Sequence, residues 1–198
     1  MSVLEQLASD VGVNERTLRR AAGLGLIHAQ RPSSRRLVLA ESEVAWVRSH
    51  WPVVSKLLSA LRTEPNVELA VLFGSVARGV GVDGVSDVDL LIELRRPSPG
   101  ALEGLRRRLA MHVQSDVELV PLRSATRDAH LLAEILRDGR PLVDRRDMWP
   151  TLQVQRALTQ ARAKQEGRTL HTEARAAVGY FQRLAAERTA PLPTGGGR

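Results

Sequence analysis

The chain has 198 residues, 43% of them hydrophobic but only 3% aromatic, so a core must be assembled from Leu, Val and Ala. Lys and Arg outnumber Asp and Glu by 29 to 22, and the resulting charge of +7 favours polyanionic partners, although a GC-rich genome also yields Arg-rich, Ala-rich chains. The lack of cysteine excludes disulfides, thiolate zinc sites and a cysteine nucleophile.

The opening segment, Met1 to Val11, is polar and amphipathic and has no apolar targeting region. No run reaches the roughly 20 apolar residues that a membrane span needs, so the expectation is a soluble, cytoplasmic protein with no membrane partner. Val3-Leu-Glu-Gln-Leu-Ala8 predicts a short first helix, and Asp10-Val-Gly-Val13 a tight turn in which Gly12 can take a positive φ. Asn14 suits the N-cap of a second helix, Glu15 to Ala22, which turns Leu18 inward and exposes Arg16, Arg19 and Arg20. Gly23-Leu-Gly-Leu-Ile27 leads into a basic hairpin, Arg31-Pro-Ser-Ser-Arg-Arg36, followed by Leu37-Val-Leu39. A third helix begins at Glu41 and carries Val44, Val47 and Trp51.

This order resembles the winged helix-turn-helix of MerR-type regulators and excisionases. The residues that carry the resemblance are Leu7-Ala8, Val11-Gly-Val13, Thr17-Leu-Arg-Arg20, Leu24-Gly-Leu-Ile27 and Arg35-Arg-Leu37. It implies a second helix seated in the major groove of duplex DNA and a wing on the phosphates. Arg16, Arg19, Arg20, Arg35 and Arg36 are then the DNA-binding candidates. The competing expectations are a helical bundle with solvated arginines and a protein-docking surface. One departure is that Ala21 and Ala22 stand where that family has an aromatic.

The central zone alternates strand and helix. Glu68-Leu-Ala-Val-Leu-Phe73 is an apolar run that ends at a glycine, so it predicts a buried strand. Asp87-Val-Asp-Leu-Leu-Ile-Glu-Leu94 predicts a second strand, whose period of two places Asp87, Asp89, Leu91 and Glu93 on one face and Val88, Leu90, Ile92 and Leu94 on the other, buried face. Ser98 to His112 has Leu102, Leu105, Leu109 and His112 at helical spacing. Val117-Glu-Leu-Val-Pro-Leu122 predicts a third strand with Glu118 facing away from Val117 and Leu119. Ala125 to Asp138 predicts a helix stopped by Gly139, and Pro141-Leu-Val-Asp144 a short edge strand.

Leu72-Phe-Gly-Ser-Val-Ala-Arg-Gly79, followed by Ser86-Asp-Val-Asp-Leu-Leu91, resembles the signature of minimal nucleotidyltransferases of the DNA-polymerase-β superfamily, which includes toxin–antitoxin adenylyltransferases. The likeness runs on through Val117-Glu-Leu-Val120, Glu134-Ile-Leu-Arg-Asp-Gly139 and Val143-Asp-Arg145. Breaking the bond between α-phosphate and pyrophosphate requires charge neutralisation, commonly by two divalent ions, and hard cations take carboxylate oxygens. Two aspartates at i and i+2 of a strand project from one face and can share such ions. The resemblance implies Asp87 and Asp89 as metal ligands, with Glu118 as a third carboxylate that binds the catalytic metal and helps deprotonate the attacking hydroxyl. Gly74, Ser75 and Arg78 are the nucleotide-binding candidates. Gly74 allows close backbone approach, the Ser75 hydroxyl and nearby N–H groups can hold a phosphate, and Arg78 can add a charge-assisted contact. Mg²⁺ or Mn²⁺ and ATP or another NTP are the implied cofactor and substrate. Two departures from the family stand out. Eleven residues, Val76 to Ser86, separate Ser75 from Asp87, one more than is usual, and Glu118 stands where Asp is commoner.

Leu152 to Ala186 has the apolar spacing and helix-forming composition of one or two long helices, with a break at Gly167. Its apolar face is expected to pack within the chain and to support a homodimer contact. Pro191 to Arg198 lacks the apolar residues to order itself.

The expected fold is α/β, an α+β nucleotidyltransferase fold with a small mixed sheet and flanking helices. An all-α winged helix-turn-helix precedes it and C-terminal helices follow. The expected boundaries are 1–62 for the winged helix-turn-helix, 63–148 for the nucleotidyltransferase, 149–190 for the helices and 191–198 for a disordered tail. The expected function is transfer of a nucleoside monophosphate, AMP from ATP first, to a hydroxyl of a protein or RNA. The expected setting is a toxin–antitoxin or defence system with DNA-binding autoregulation, and the partners are duplex DNA, a HEPN-type or other toxin or antitoxin protein, or tRNA. The main alternative is a DNA-binding transcriptional regulator with a degenerate, nucleotide-sensing transferase domain. An antibiotic-modifying transferase is disfavoured by the fused N-terminal unit.

Overall fold

A computed structural model describes residues 2–32, 37–80 and 87–167. Arg35 and Arg36 of the expected wing lie outside the described residues. So do most of the Gly-rich stretch before Asp87, the second half of the expected C-terminal helices and the tail.

The chain starts with α1 (Val3–Asp10), whose N-cap is a reciprocal box: the Ser2 hydroxyl accepts from Glu5 N, and the Glu5 carboxylate accepts from Ser2 N. Gly12 takes a φ of +68° at the turn that follows. In α2 (Glu15–Leu24), the Asn14 side chain accepts from Arg16 N at 2.8 Å. This helix runs past the expected Ala22 and stops at Gly25, whose φ of +91° is the left-handed cap that glycine allows. The first zone is not purely helical, because β1 (Ala29–Gln30) and β2 (Val38–Leu39) pair as a short antiparallel ribbon. A long helix, α3 (Glu41–Arg62), then buries Trp46, Val47, Trp51, Val54, Leu57 and Leu61.

Next come β3 (Val67–Phe73), the five-residue α4 (Gly74–Arg78), β4 (Val88–Leu94), α5 (Pro99–Val113) and β5 (Val117–Pro121). They are followed by α6 (Leu122–Ala125), α7 (Ala129–Asp138), β6 (Arg140–Asp144) and α8 (Met148–Val154), with a further helix over 156–167. The sheet order is β5-β4-β3-β6. β3 is antiparallel to both β4 and β6, while β4 and β5 are parallel, joined across the sheet by α5. A small mixed sheet with flanking helices is what the central zone predicts.

Both faces of the sheet are covered. Val88, Leu90, Ile92 and Leu94 pack with Leu105, Leu109, α3, α1 and α2 in one core that runs unbroken from Leu4 to Leu142. Leu69, Val71, Phe73 and Leu91 pack on the other side with Leu132, Ile135, Leu136 and Trp149. The alternation of β4 therefore does not separate a dry face from a wet one. Leu91 shares the face of Asp89 and is fully buried.

Two expected elements change. The third strand ends at Pro121, and Leu122 opens α6 instead. The expected helix from Ala125 to Asp138 is broken, because Asp128 leaves helical geometry and its carboxylate caps Leu131 N at 3.0 Å. Gly139 stops α7 with an ordinary φ of −65°. Its role is space, since a Cβ there would stand 2.8 Å from the Trp149 ring and 2.9 Å from Val71 Cγ1. Trp149 is accordingly a core residue.

Candidate active site

Asp89 is the centre of the site. In the parallel ladder of β4 and β5 it is the direct partner of Glu118, so both side chains leave the same face of the sheet. On its other side Asp89 pairs with Phe73, the last residue of β3, and the next residue, Gly74, opens α4. Asp87 sits exposed just ahead of β4. The structure thus brings together the ends of three strands, which delivers Gly74-Ser75, Asp87/Asp89 and Glu118 to one edge of the sheet.

Gly74 has two independent reasons to be glycine. Its φ of +73° lies in the left-handed region, and a Cβ would overlap Asp89 Oδ2 outright. The close approach that Gly74 permits is therefore first of all to the Asp89 carboxylate. A substitution here would push that carboxylate away or unfold the turn.

Burial, then the neighbouring Glu118 and Asp87, push the Asp89 carboxyl above its ordinary range, and Arg78 pulls in the opposite direction. This gathers negative charge that the chain itself compensates only in part. Among the described residues, no three His, Cys, Asp or Glu side chains converge closely enough to enclose a metal ion as they stand. The donor chemistry still suits a hard divalent cation, because Asp87, Asp89 and Glu118 offer only carboxylate oxygens and like charges crowd Asp89.

Arg78 ends α4 at the rim, 3.9 Å from Asp138 Oδ2. Asp138 also accepts from Arg137 at 2.8 Å, and the nearby guanidinium groups hold its carboxyl below the usual range. Asp116 is exposed, and its carbonyl oxygen accepts from Val88 N at 2.9 Å, a contact that fastens the start of β4 to the start of β5. Arg16, Arg19 and Arg20 are all exposed on α2, and Arg19 is ion-paired with Glu15 one turn earlier. Sequence reasoning missed Glu43 of α3 and Arg140 of β6, which meet in the buried interior. Neither motif nor period marks them.

Residues 55–148 match the family described as Polymerase beta, Nucleotidyltransferase. Several solved structures are similar to the chain. One is a toxin–antitoxin crystal structure with AMP-PNP, 25% identical over 65% of this chain and 98% of that one, with a TM-score of 0.43. Another is the tri-AMPylated Shewanella oneidensis HEPN toxin in complex with MNT antitoxin, 24% identical over 67% of this chain and 98% of that one, with a TM-score of 0.41. A MntA–HepT toxin–antitoxin structure is 24% identical over 66% and 97%, with a TM-score of 0.39. No curated protein matches the chain. Among the described residues, no helix is long and apolar enough to cross a membrane.

Proposed function

We propose that this polymerase-β-type nucleotidyltransferase domain transfers a nucleoside monophosphate, AMP from ATP first, to a hydroxyl on a protein or RNA. The observation that carries the reading is the register pair Asp89–Glu118, with Gly74 packed against Asp89 and Asp87 two residues away. Asp87, Asp89 and Glu118 would hold Mg²⁺ or Mn²⁺. When bound, such ions neutralise the triphosphate and make the α-phosphorus open to attack.

In this proposal the Gly74-Ser75 turn and Arg78 orient the triphosphate. Glu118, exposed at the edge of the sheet, takes the proton of the attacking hydroxyl. A new bond forms between that oxygen and the α-phosphorus, and the bond to pyrophosphate breaks. Asp89, half-buried against Phe73, fixes the reaction centre to the sheet. Incubating the protein with labelled NTPs, Mg²⁺, tRNA and candidate HEPN-type partner proteins tests this. One acceptor should gain label and lose that ability in EDTA. Label that enters nothing under any condition would sink the reading.

The exposed Arg16, Arg19 and Arg20 of α2 support a second activity, duplex DNA binding by residues 1–62, which would let the protein regulate its own expression within a toxin–antitoxin or defence system. The full chain should bind duplex DNA with an affinity that falls steeply with salt. Lack of binding at low salt would make the unit a protein-docking surface instead.

A further inference from the structure

A helix of five residues cannot hold itself in place, because each helix end leaves about four backbone groups without internal partners. The last carbonyls of α4 are taken by side chains from two distant elements. Trp46 of α3 donates its indole N–H to Val76 O at 2.8 Å. Arg140 of β6 donates from Nε to Ala77 O at 2.7 Å. A guanidinium at these carbonyls also complements the negative end of the helix dipole, and its bond is charge-assisted.

The two donors are locked to each other and to the first unit. The Arg140 guanidinium lies 3.6 Å from the centroid of the Trp46 ring. Arg140 grips Glu43 with both arms, Nη1 to Oε1 at 2.6 Å and Nη2 to Oε2 at 3.0 Å. Arg140 Nη1 further donates to Leu26 O at 3.0 Å, and Glu43 Oε1 accepts from His28 N at 2.8 Å. Arg140 is 5% and Glu43 7% exposed, so the pair is walled off from water. Gly79, which caps α4 with a φ of +72°, sits so near Trp46 that a Cβ would stand 3.1 Å from Cδ1. Trp46 and Arg140 thus grip α4 at one end, and Asp89 fills the space beside Gly74 at the other.

We infer that Trp46 and Arg140 are positioning residues for the triphosphate: they hold α4 so that the Gly74-Ser75 turn and Arg78 face Asp87 and Asp89, and through Glu43 and Leu26 they tie that geometry to the first unit. The inference rests on the nucleotide-binding role proposed above for Gly74, Ser75 and Arg78. Simple fold reinforcement is the rival account, and the two differ in what they do to ligands. A displaced α4 weakens its grip on a triphosphate far more than on a monophosphate. A merely structural contact affects both or neither.

Trp46→Phe keeps an aromatic ring and removes the indole donor. Arg140→Lys keeps the charge and removes the fork that spans Glu43 and Ala77 O. Calorimetric titration with a non-hydrolysable ATP analogue and with AMP, in Mg²⁺, reads the effect, and circular dichroism reports the fold. For each variant, affinity for the ATP analogue should fall about three- to ten-fold, the worth of one hydrogen bond, with AMP changed less than about two-fold. Equal losses for both ligands, or no loss in a folded variant, would overturn the inference.

Should a variant not fold, hydrogen exchange on the unaltered protein decides. The ATP analogue should slow exchange in residues 76–80 and also in 26–28 and 43–47. Protection confined to 76–80 overturns the clamp. If the unaltered protein binds no ATP analogue, the transferase reading itself falls and takes this inference with it. Binding without the triphosphate-selective loss sinks the inference alone.

Discussion

Two clusters of charge lie on either side of α4, and they are built on opposite terms. At Arg140 and Glu43 every charge has its opposite, with the fork of one filling both oxygens of the other. At Asp89 like charges gather, with burial first and then Glu118 and Asp87 raising its proton affinity, and with Arg78 opposing them. Burying charge is costly unless it is paired, so a chain that pairs it so thoroughly in one place does not leave it imbalanced nearby at no cost. The difference teaches where each cluster's balance comes from. The first is complete within the chain and serves its geometry. The second, on the function proposed above, is completed by a bound ligand.

The largest effect should come from Asp87→Asn with Asp89→Asn. Label transfer should fall below detection, while the metal-free protein melts at the same or a higher temperature. The sign follows from Asp89. Its folded-state pKa is raised above the unfolded value, so the proton favours the folded state and ionisation at neutral pH works against folding. Removing that charge relieves the cost, and a lower melting temperature would contradict the comparison. Glu43→Gln should do the reverse. It strands the buried Arg140 and should cost about 3–5 kcal/mol in denaturant unfolding, against next to nothing if the pair is dispensable.

Glu118→Gln should cut turnover by roughly 10²-fold with ATP affinity within a few-fold, the scale of a lost general base, whereas Asp116→Asn should do much less. Equal, small effects would misplace the third carboxylate. Glu118→Asp sharpens this. Lower turnover means that the longer side chain suits this site, and higher turnover means that it does not. Gly74→Ala should cost about 1–3 kcal/mol of backbone strain, with a larger loss of transfer as Asp89 is displaced. Smallest of all, Arg19→Ala breaks only an exposed ion pair and should change stability by no more than about 0.5 kcal/mol while weakening DNA binding. A larger loss would mean that exposed pairs count here as buried ones do.

What could be foreseen follows the range of the interactions. The strand ending at Gly74, the alternation of Asp87 and Asp89, the Asn14 cap and the positive φ of Gly12 are local, and each shows in a few adjacent residues. The break at Asp128 is also local, but the helical spacing around it hid an Asp able to cap Leu131 N. Alternation along β4 could not tell that α7 and α8 cover the carboxylate face, because a covered and an open face carry the same pattern there. The Glu43–Arg140 pair left no trace at all. Its partners are 97 positions apart, and each reads alone as an ordinary surface charge. The extra residue before Asp87 lies in a stretch outside the described residues or at its edge.

The parallel pairing of β4 and β5 also fixes a timetable for synthesis and folding. The β3–β4 pair joins segments close in sequence and can form early. Glu118 reaches Asp89 only after the whole of α5 has been made and folded back across the sheet. Arg140 arrives later still, on β6, which returns to the far edge beside β3. A nascent chain therefore carries both aspartates long before their carboxylate partner, and that partner before the guanidinium that closes on α4. On the function proposed above, competence is withheld until β6, the last strand among the described residues, has left the ribosome, so a chain stalled or cut short before it would hold Asp87 and Asp89 without the geometry to use them.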